Sequence, residues 1–205
     1  FDIPKYHNDV RVFEVKESDD THIGILYMDF FARSSKKSGA WMNSYRKQQM
    51  INGKNITPVI STVFNFSKPS VNEPALLNLD EVETVFHEFG HALHGLLSEC
   101  TYHKLSGTAV PRDFVELPSQ IMENWALHPE VMKFYARNYQ SDEPIPDELI
   151  SKIENSSLFN QGYATLEYLA AAFLDMGWHA LEQPFTGDVN RREKEILDDL
   201  GLGFR

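Results

Sequence analysis

The sequence predicts an α+β fold that is mostly α-helical, with a small antiparallel sheet in the first third. Three observations lead there. Val10 to Val15 alternates apolar and polar residues and is rich in β-branched side chains, as a half-buried strand requires. His22 to Phe31 and Pro58 to Phe66 are dense apolar runs of strand length. From Asn78 onward the apolar residues recur every three or four positions, which is the helical period.

The elements follow in order. The polar stretch KESDDT joins the first two strands as a hairpin connection, and Ser34 to Gly39 and Lys47 to Asn55 read as loops. Pro58 sits at the edge of the third strand. The segment NLDEVETVFHEFGHALHGLLSE places Val82, Val85, Phe86, Phe89, Leu93, Leu96 and Leu97 on one helical face. Asp80 is its expected N-cap, with Glu83 completing a capping box. A second helix is expected from Asp113, as N-cap, through His128, with Pro118 tolerated because it lies near the start. Pro129 opens a further helix running to Gln140, an acidic turn follows, and helices are expected over 147–156 and 162–183. A short polar helix closes the chain. The organisation is therefore a β-rich part, residues 1–77, and a helical part, residues 78–205, within one domain.

Composition narrows the function classes. Lys plus Arg number 19 against 30 Asp plus Glu, a net charge of −11, so neither nucleic acid nor an anionic membrane surface is the expected partner. The single cysteine, Cys100, excludes an intramolecular disulfide framework and a cysteine-rich zinc knuckle. No apolar run reaches the ~18 residues of a membrane span. The chain opens FDIPKYH, without Met, so a piece of a longer protein is expected, and its own compartment signal is not legible. A cytoplasmic location is the working expectation.

The chemistry concentrates at His87-Glu88-Phe89-Gly90-His91, an H-E-x-x-H pattern on a helix. Residues i and i+4 share one helical face, so two imidazoles can reach a single ion at the ~2.0–2.1 Å of a Zn–N bond. Glu88 follows the first ligand and points to the open coordination position, where a carboxylate can take a proton from water. Solvated histidines on an amphipathic helix are the bland alternative. A third ligand has to come from elsewhere. His94 lies one helical register too far, its Cα about 10.5 Å along the axis from that of His87. Glu116 and Glu123 on the next helix are the candidates, seven residues apart on one face, and Glu116, nearer the helix start, is the preferred one. Glu123 either orients a ligand or faces solvent. Glu83, one turn before His87, is a candidate to accept the other imidazole N–H. Ser38 to Trp41 is either an ordinary loop or a sheet edge that pairs with an extended peptide, which would make Gly39 and Ala40 substrate contacts. Gly107 is either a plain turn or a tight loop approaching the site. Tyr102, His103 and His128 read as surface or packing residues.

Four blocks carry a family resemblance: FFARSSKKSGAWM (30–42), KPSVNEPALLNLDEVETVFHEFGHALHGL (68–96), LSGTAVPRDFVELPSQIMENWALHPEV (105–131) and SLFNQGYATLEYLAAAFLDMGWH (157–179). Together they resemble the thimet oligopeptidase family of zinc metallopeptidases, and most of all its peptidyl-dipeptidase members. The resemblance implies a zincin-like catalytic domain fragment holding Zn2+ through His87, His91 and Glu116, with Glu88 as general base. It implies short peptides as substrates, cut by dipeptide release or internally. It also implies a segment resembling GGYAAGYYAYLW that binds substrate, and none occurs before Arg205. The fragment alone is therefore expected to be a weak peptidase, and to self-associate through apolar faces of helices 113–128 and 162–183.

Overall fold

The computed structural model of the chain describes residues 3–201. Among them are six strands and seven α-helices. Strands β1 (Arg11–Lys16), β2 (His22–Phe31), β3 (Trp41–Arg46) and β6 (Val59–Phe66) form one sheet in the order β1-β2-β6-β3. β4 (Gln49–Ile51) and β5 (Lys54–Ile56) form a separate hairpin. The α+β expectation holds, with one refinement. β1–β2 and β3–β6 are antiparallel, but β2–β6 is parallel, so the sheet is mixed. The chain leaves β2, passes the end of β6's position to reach β3, and returns through the hairpin to fill the gap. The hairpin itself replaces the expected loop at 47–55. Its turn is Asn52-Gly53, both with positive φ, the two-residue geometry that matches strand twist.

Helix α1 (Leu79–Leu96) lies across one face of the sheet. Leu26, Ile60, Ala92 and Leu96 form the shared core, with Met28, Met42 and Phe89 packed around it. The helix starts two residues earlier than the Asp80 cap would place it. Asn78 is the N-cap and Glu81 the reciprocal partner, so the capping box is Asn78/Glu81 and not Asp80/Glu83.

The expected single helix after Asp113 is two. α2 (Arg112–Val115) follows Pro111, which stands at the N-cap position in place of Asp113, and α3 (Leu117–Ala126) begins after Glu116. Pro118 cannot supply the N–H that a continuous helix would need, so the helical run breaks at Glu116 and a new helix starts with Pro118 in its first turn, where no N–H is required. α4 (Pro129–Tyr135) ends earlier than expected, where a bridge between Arg137 and Pro144 takes over.

Among the described residues, these elements form one compact unit up to Ile145, and those from Pro146 onward form a second. The change of texture at 77/78 is thus a change of secondary structure inside the first unit. The second unit contains α5 (Asp147–Ser157), α6 (Gln161–His179) and α7 (Val189–Asp199). In it, α7 packs on the end of α6, with Ile196 against Gly177 and Trp178 Nε1 donating to Glu193 at 3.3 Å.

One polar cluster is buried in the first unit. Asp29, fully inaccessible, accepts from Arg33 Nη1 at 2.7 Å, Arg33 Nη2 at 2.6 Å and Tyr6 OH at 2.9 Å, and pairs with Lys36 Nζ at 2.8 Å. Burial alone would raise its pKa, but the hydrogen bonds from Arg33, Lys36 and Tyr6 outweigh that and hold it at about 2. A carboxyl of ordinary pKa ~3.9 in the unfolded chain is thus easier to ionise in the folded one. Its stabilisation is complete above about pH 4 and is lost as pH falls toward 2. We expect Asp29→Asn to cost ~3–5 kcal/mol at pH 7, because two cations lose their partner. The gap to wild type in urea unfolding should narrow between pH 4 and pH 2. A gap independent of pH would mean that Asp29 is not held ionised.

Candidate metal centre

α1 presents His87 and His91 on the face turned away from the sheet core, and α3 crosses that face. The two imidazoles converge as the i, i+4 spacing requires, with ring centroids 4.9 Å apart. Glu116, at the break between α2 and α3, completes the group. Its Oε2 lies 3.3 Å from His87 Nε2 and 3.1 Å from His91 Nε2. One ligand atom from each of the three residues lies within 4.8 Å of the others, a spacing that can hold one metal ion. The donor set, two imidazoles and one carboxylate, suits zinc with a coordination position left open.

The surroundings orient these candidate ligands. Glu123 Oε1 lies 2.5 Å from His87 Nδ1. The N–H is therefore on Nδ1, donating to Glu123, and the Nε2 lone pair faces Glu116 and His91. Burial pushes the His91 pKa down against the opposing Glu116 charge, which favours the neutral, metal-binding imidazole. Ser119, fully buried, places its Oγ 2.9 Å from both Glu116 Oε2 and the Glu116 main-chain oxygen. That bond fixes the carboxylate's direction.

Glu88 is buried, 6 % exposed, and its Oε2 has no hydrogen-bond partner among the described residues. Burial raises its pKa; His87 opposes this, Glu116 adds to it, and a main-chain bond from Met42 lowers it again. A carboxylate so placed is a stronger base than an exposed one. It lines an open cleft of about 450 Å³ together with Ala40, Trp41, Met42, His87, His91, Thr108, Val115 and Glu116. One wall of the cleft is the ligand helix and the other is the start of β3, an outer strand of the sheet.

Among the residues singled out from sequence, His87, Glu88, His91, Glu116 and Ala40 meet at this cleft. Gly39 stands just before β3 with φ +90. Glu83 shares a neighbouring hollow with Thr84, His87 and Glu123, but the hydrogen bond to His87 belongs to Glu123. Burial, with the charges of Glu123 and Asp80, raises the Glu83 pKa. Gly107 does not itself line the cleft: its N–H donates to Ser98 Oγ at 2.8 Å, and it lines a different hollow with Leu93, His94 and Cys100. Its neighbour Thr108 is the residue in the cleft. Sequence reasoning missed Met42, Thr108, Val115, Ser119 and the part played by Gly90. Ser119 follows Glu116 by three, a spacing at which a hydroxyl can reach back to a carboxylate, and that was the available signal.

Comparison with known proteins gives a consistent result. Peptidase family M3 matches over residues 1–199. The chain is 55 % identical over 183 residues to the dipeptidyl carboxypeptidase of Escherichia coli (strain K12), covering 89 % of this chain and 27 % of that one. It is 38 % identical over 188 residues to oligopeptidase A of the same organism, 91 % of this chain and 28 % of that one. It is 34 % identical over 219 residues to mitochondrial intermediate peptidase of Yarrowia lipolytica, with 95 % and 28 % covered. The chain thus spans roughly a quarter of the length of these curated relatives.

Gly90 sets the distance between the two ligand-bearing elements. A Cβ there would come within 2.5 Å of Pro118 O and 2.6 Å of Ser119 Cα, both main-chain atoms of α3 that cannot yield locally. Gly90→Ala should push α3 outward, and Glu116 and Ser119 with it. We expect ~1–3 kcal/mol of destabilisation from overpacking, and at least ~10-fold weaker zinc binding by competition with a chromophoric chelator. Wild-type zinc affinity in a folded Gly90→Ala protein would show that α3 does not need this approach to deliver Glu116.

Proposed function

The chain belongs to peptidase family M3, and on that premise we propose that it is the metal-bearing part of a zinc peptidase acting on short peptides. The observation that carries the reading is the convergence of His87 Nε2, His91 Nε2 and Glu116 Oε2 beside a buried, unpartnered Glu88 oxygen. His87, His91 and Glu116 would hold Zn2+. When bound, zinc supplies Lewis acidity and makes water acidic enough to attack near neutral pH.

The protein's own groups account for the rest. Glu123 holds the His87 ring in the ligating tautomer, and Ser119 holds the Glu116 carboxylate. Glu88 Oε2 takes the proton of the attacking water and delivers it to the leaving amine nitrogen, so no covalent peptidyl intermediate is needed. The raised pKa of Glu88 suits it to both halves of that transfer. The outer strand β3, beginning beyond Gly39 and Ala40, would pair with the extended peptide through main-chain hydrogen bonds and lay its scissile bond across the cleft. The identity to a dipeptidyl carboxypeptidase favours release of C-terminal dipeptides over internal cleavage. Products from a peptide with a free C-terminus, beside those from its amidated form, separate the two.

No helix among the described residues is long and apolar enough to cross a membrane. The net charge of −11 supports peptides over nucleic acid as partners. Apolar side chains are exposed on 113–128 (Phe114, Leu117, Ile121, Trp125) and on α6 (Leu166, Tyr168, Phe173, Met176). These faces support self-association of this chain when nothing else covers them.

Glu88→Gln keeps the shape of the side chain and removes the base. In zinc-loaded protein we expect metal content unchanged and kcat lower by ~10²–10⁴-fold. Near-normal kcat would remove Glu88 from the mechanism.

A further inference from the structure

The segment 32–40 that leads from β2 to the cleft carries an unusual anchor. β2 and β6 lose register between Asp29 and Phe31, so their main-chain groups do not all pair there. The Lys36 ammonium occupies that break. It lies 3.1 Å from Asp29 O, 2.6 Å from Phe31 O and 2.7 Å from Phe64 O, as well as 2.8 Å from Asp29 Oδ1. Its side chain is 4 % exposed. A lysine has few reasons to be so buried, and here a compact ammonium with three N–H groups meets carbonyls of two strands at once. One residue on, β6 adds a second tie. Asn65 Nδ2 donates to Lys37 O and to Gly39 O, both at 2.7 Å. From there the chain enters β3, where Trp41 pairs with Val63 and Met42 with Thr62, and where Ala40, Trp41 and Met42 form the cleft wall facing Glu88.

Neither Lys36 nor Asn65 lines the cleft. Both hold the same short stretch, from opposite ends, to the central strand β6. We propose that Lys36 and Asn65 are positioning residues for peptide binding, a clamp that fixes the strand edge Gly39–Met42 on which an extended peptide pairs. The inference rests on the peptidase reading given above and adds a determinant of substrate affinity to it. The clamp acts before the chemical step: it sets where the main-chain groups of the edge stand and leaves the ligands on α1 and α3 untouched. Its loss therefore weakens binding of substrate and transition state alike, which raises KM and spares kcat. Asn65 is a discriminating position, because both its bonds are donated by one NH2 group. Asn65→Asp preserves shape but turns an acceptor toward two carbonyl oxygens.

The test uses the longest natural chain that contains these residues, loaded with zinc, as wild type and as Asn65→Ala, Asn65→Asp and Lys36→Met. Zinc per chain, amide hydrogen exchange at residues 39–42, and kcat and KM on an unblocked peptide are measured together. Both Asn65 variants should keep wild-type zinc content and kcat within about twofold, speed exchange at 39–42 by roughly 10-fold and raise KM roughly 5- to 10-fold, with Asp no better than Ala. Lys36→Met should show the same pattern, and if it fails to fold the Asn65 pair still decides. Unchanged exchange and KM in active Asn65 variants would overturn the clamp and leave the peptidase reading standing, as would a fall in kcat accompanied by zinc loss. A wild-type protein that holds zinc and cuts no peptide, or holds none, would overturn the peptidase reading and the clamp's role with it.

Discussion

Everything at the cleft depends on one helix being approached closely from two sides. α1 carries both imidazoles and Glu88, and it has to lie against the sheet and against α3 at once. On the sheet side, a Cβ at Gly95 would meet Ile60 and Met42 side-chain atoms at 2.8 and 2.7 Å. On the α3 side, a Cβ at Gly90 would strike main chain at 2.5 Å. These two missing side chains set the separation of three layers. The sheet brings the β3 edge to one wall of the cleft, and α3 brings Glu116 to the other. The packing of Leu26, Ile60, Ala92 and Leu96 supplies the apolar burial that holds the first contact together.

The electrostatics follow from that packing. Close approach places Glu116 within 3.3 Å of two imidazoles and at the same time buries Glu88 beside them. Two carboxylates, one buried and one half-exposed, then line the same cleft. Glu116 has Ser119 and both imidazoles as partners, whereas one oxygen of Glu88 has none among the described residues, and this difference is what supports the separate tasks proposed for them, ligation and proton transfer. The buried cluster around Asp29 has the opposite character. Every charge in it is paired, and it serves the backbone, joining the ends of β2 and β6 to the segment that becomes the cleft wall.

What could be read in the sequence was what is local. The strand at 10–15 announces itself through a two-residue period, those at 22–31 and 58–66 through dense apolar runs of strand length, and the helix after Asn78 through a three-to-four-residue period, from which the i, i+4 histidines with Glu88 between them also follow. β3 was harder to read, because Trp41–Arg46 is a strand by virtue of pairing with β6, nearly twenty residues later, and not through its own alternation. The parallel β2–β6 pairing is likewise a property of chain routing. The hairpin at Asn52-Gly53 had a local signal in that dipeptide. The break at Glu116 had one in Pro118, whose effect exceeds what a position near a helix start would cause. The roles of Glu83 and Glu123 could not be divided from sequence. Both lie at helical spacing from a ligand, and only the crossing of α1 and α3 puts Glu123 on His87 Nδ1.

On the proposed reading, α1 and the α2–α3 break together build one zinc site from His87, His91 and Glu116. Its most direct test is the zinc stoichiometry and affinity of the purified chain beside Glu116→Gln, by elemental analysis and chelator competition. About one zinc per wild-type chain is expected, with an affinity loss above about 100-fold in the variant, more than an outer partner of a ligand contributes. A Glu116→Gln protein that binds zinc with wild-type stoichiometry and affinity would contradict it.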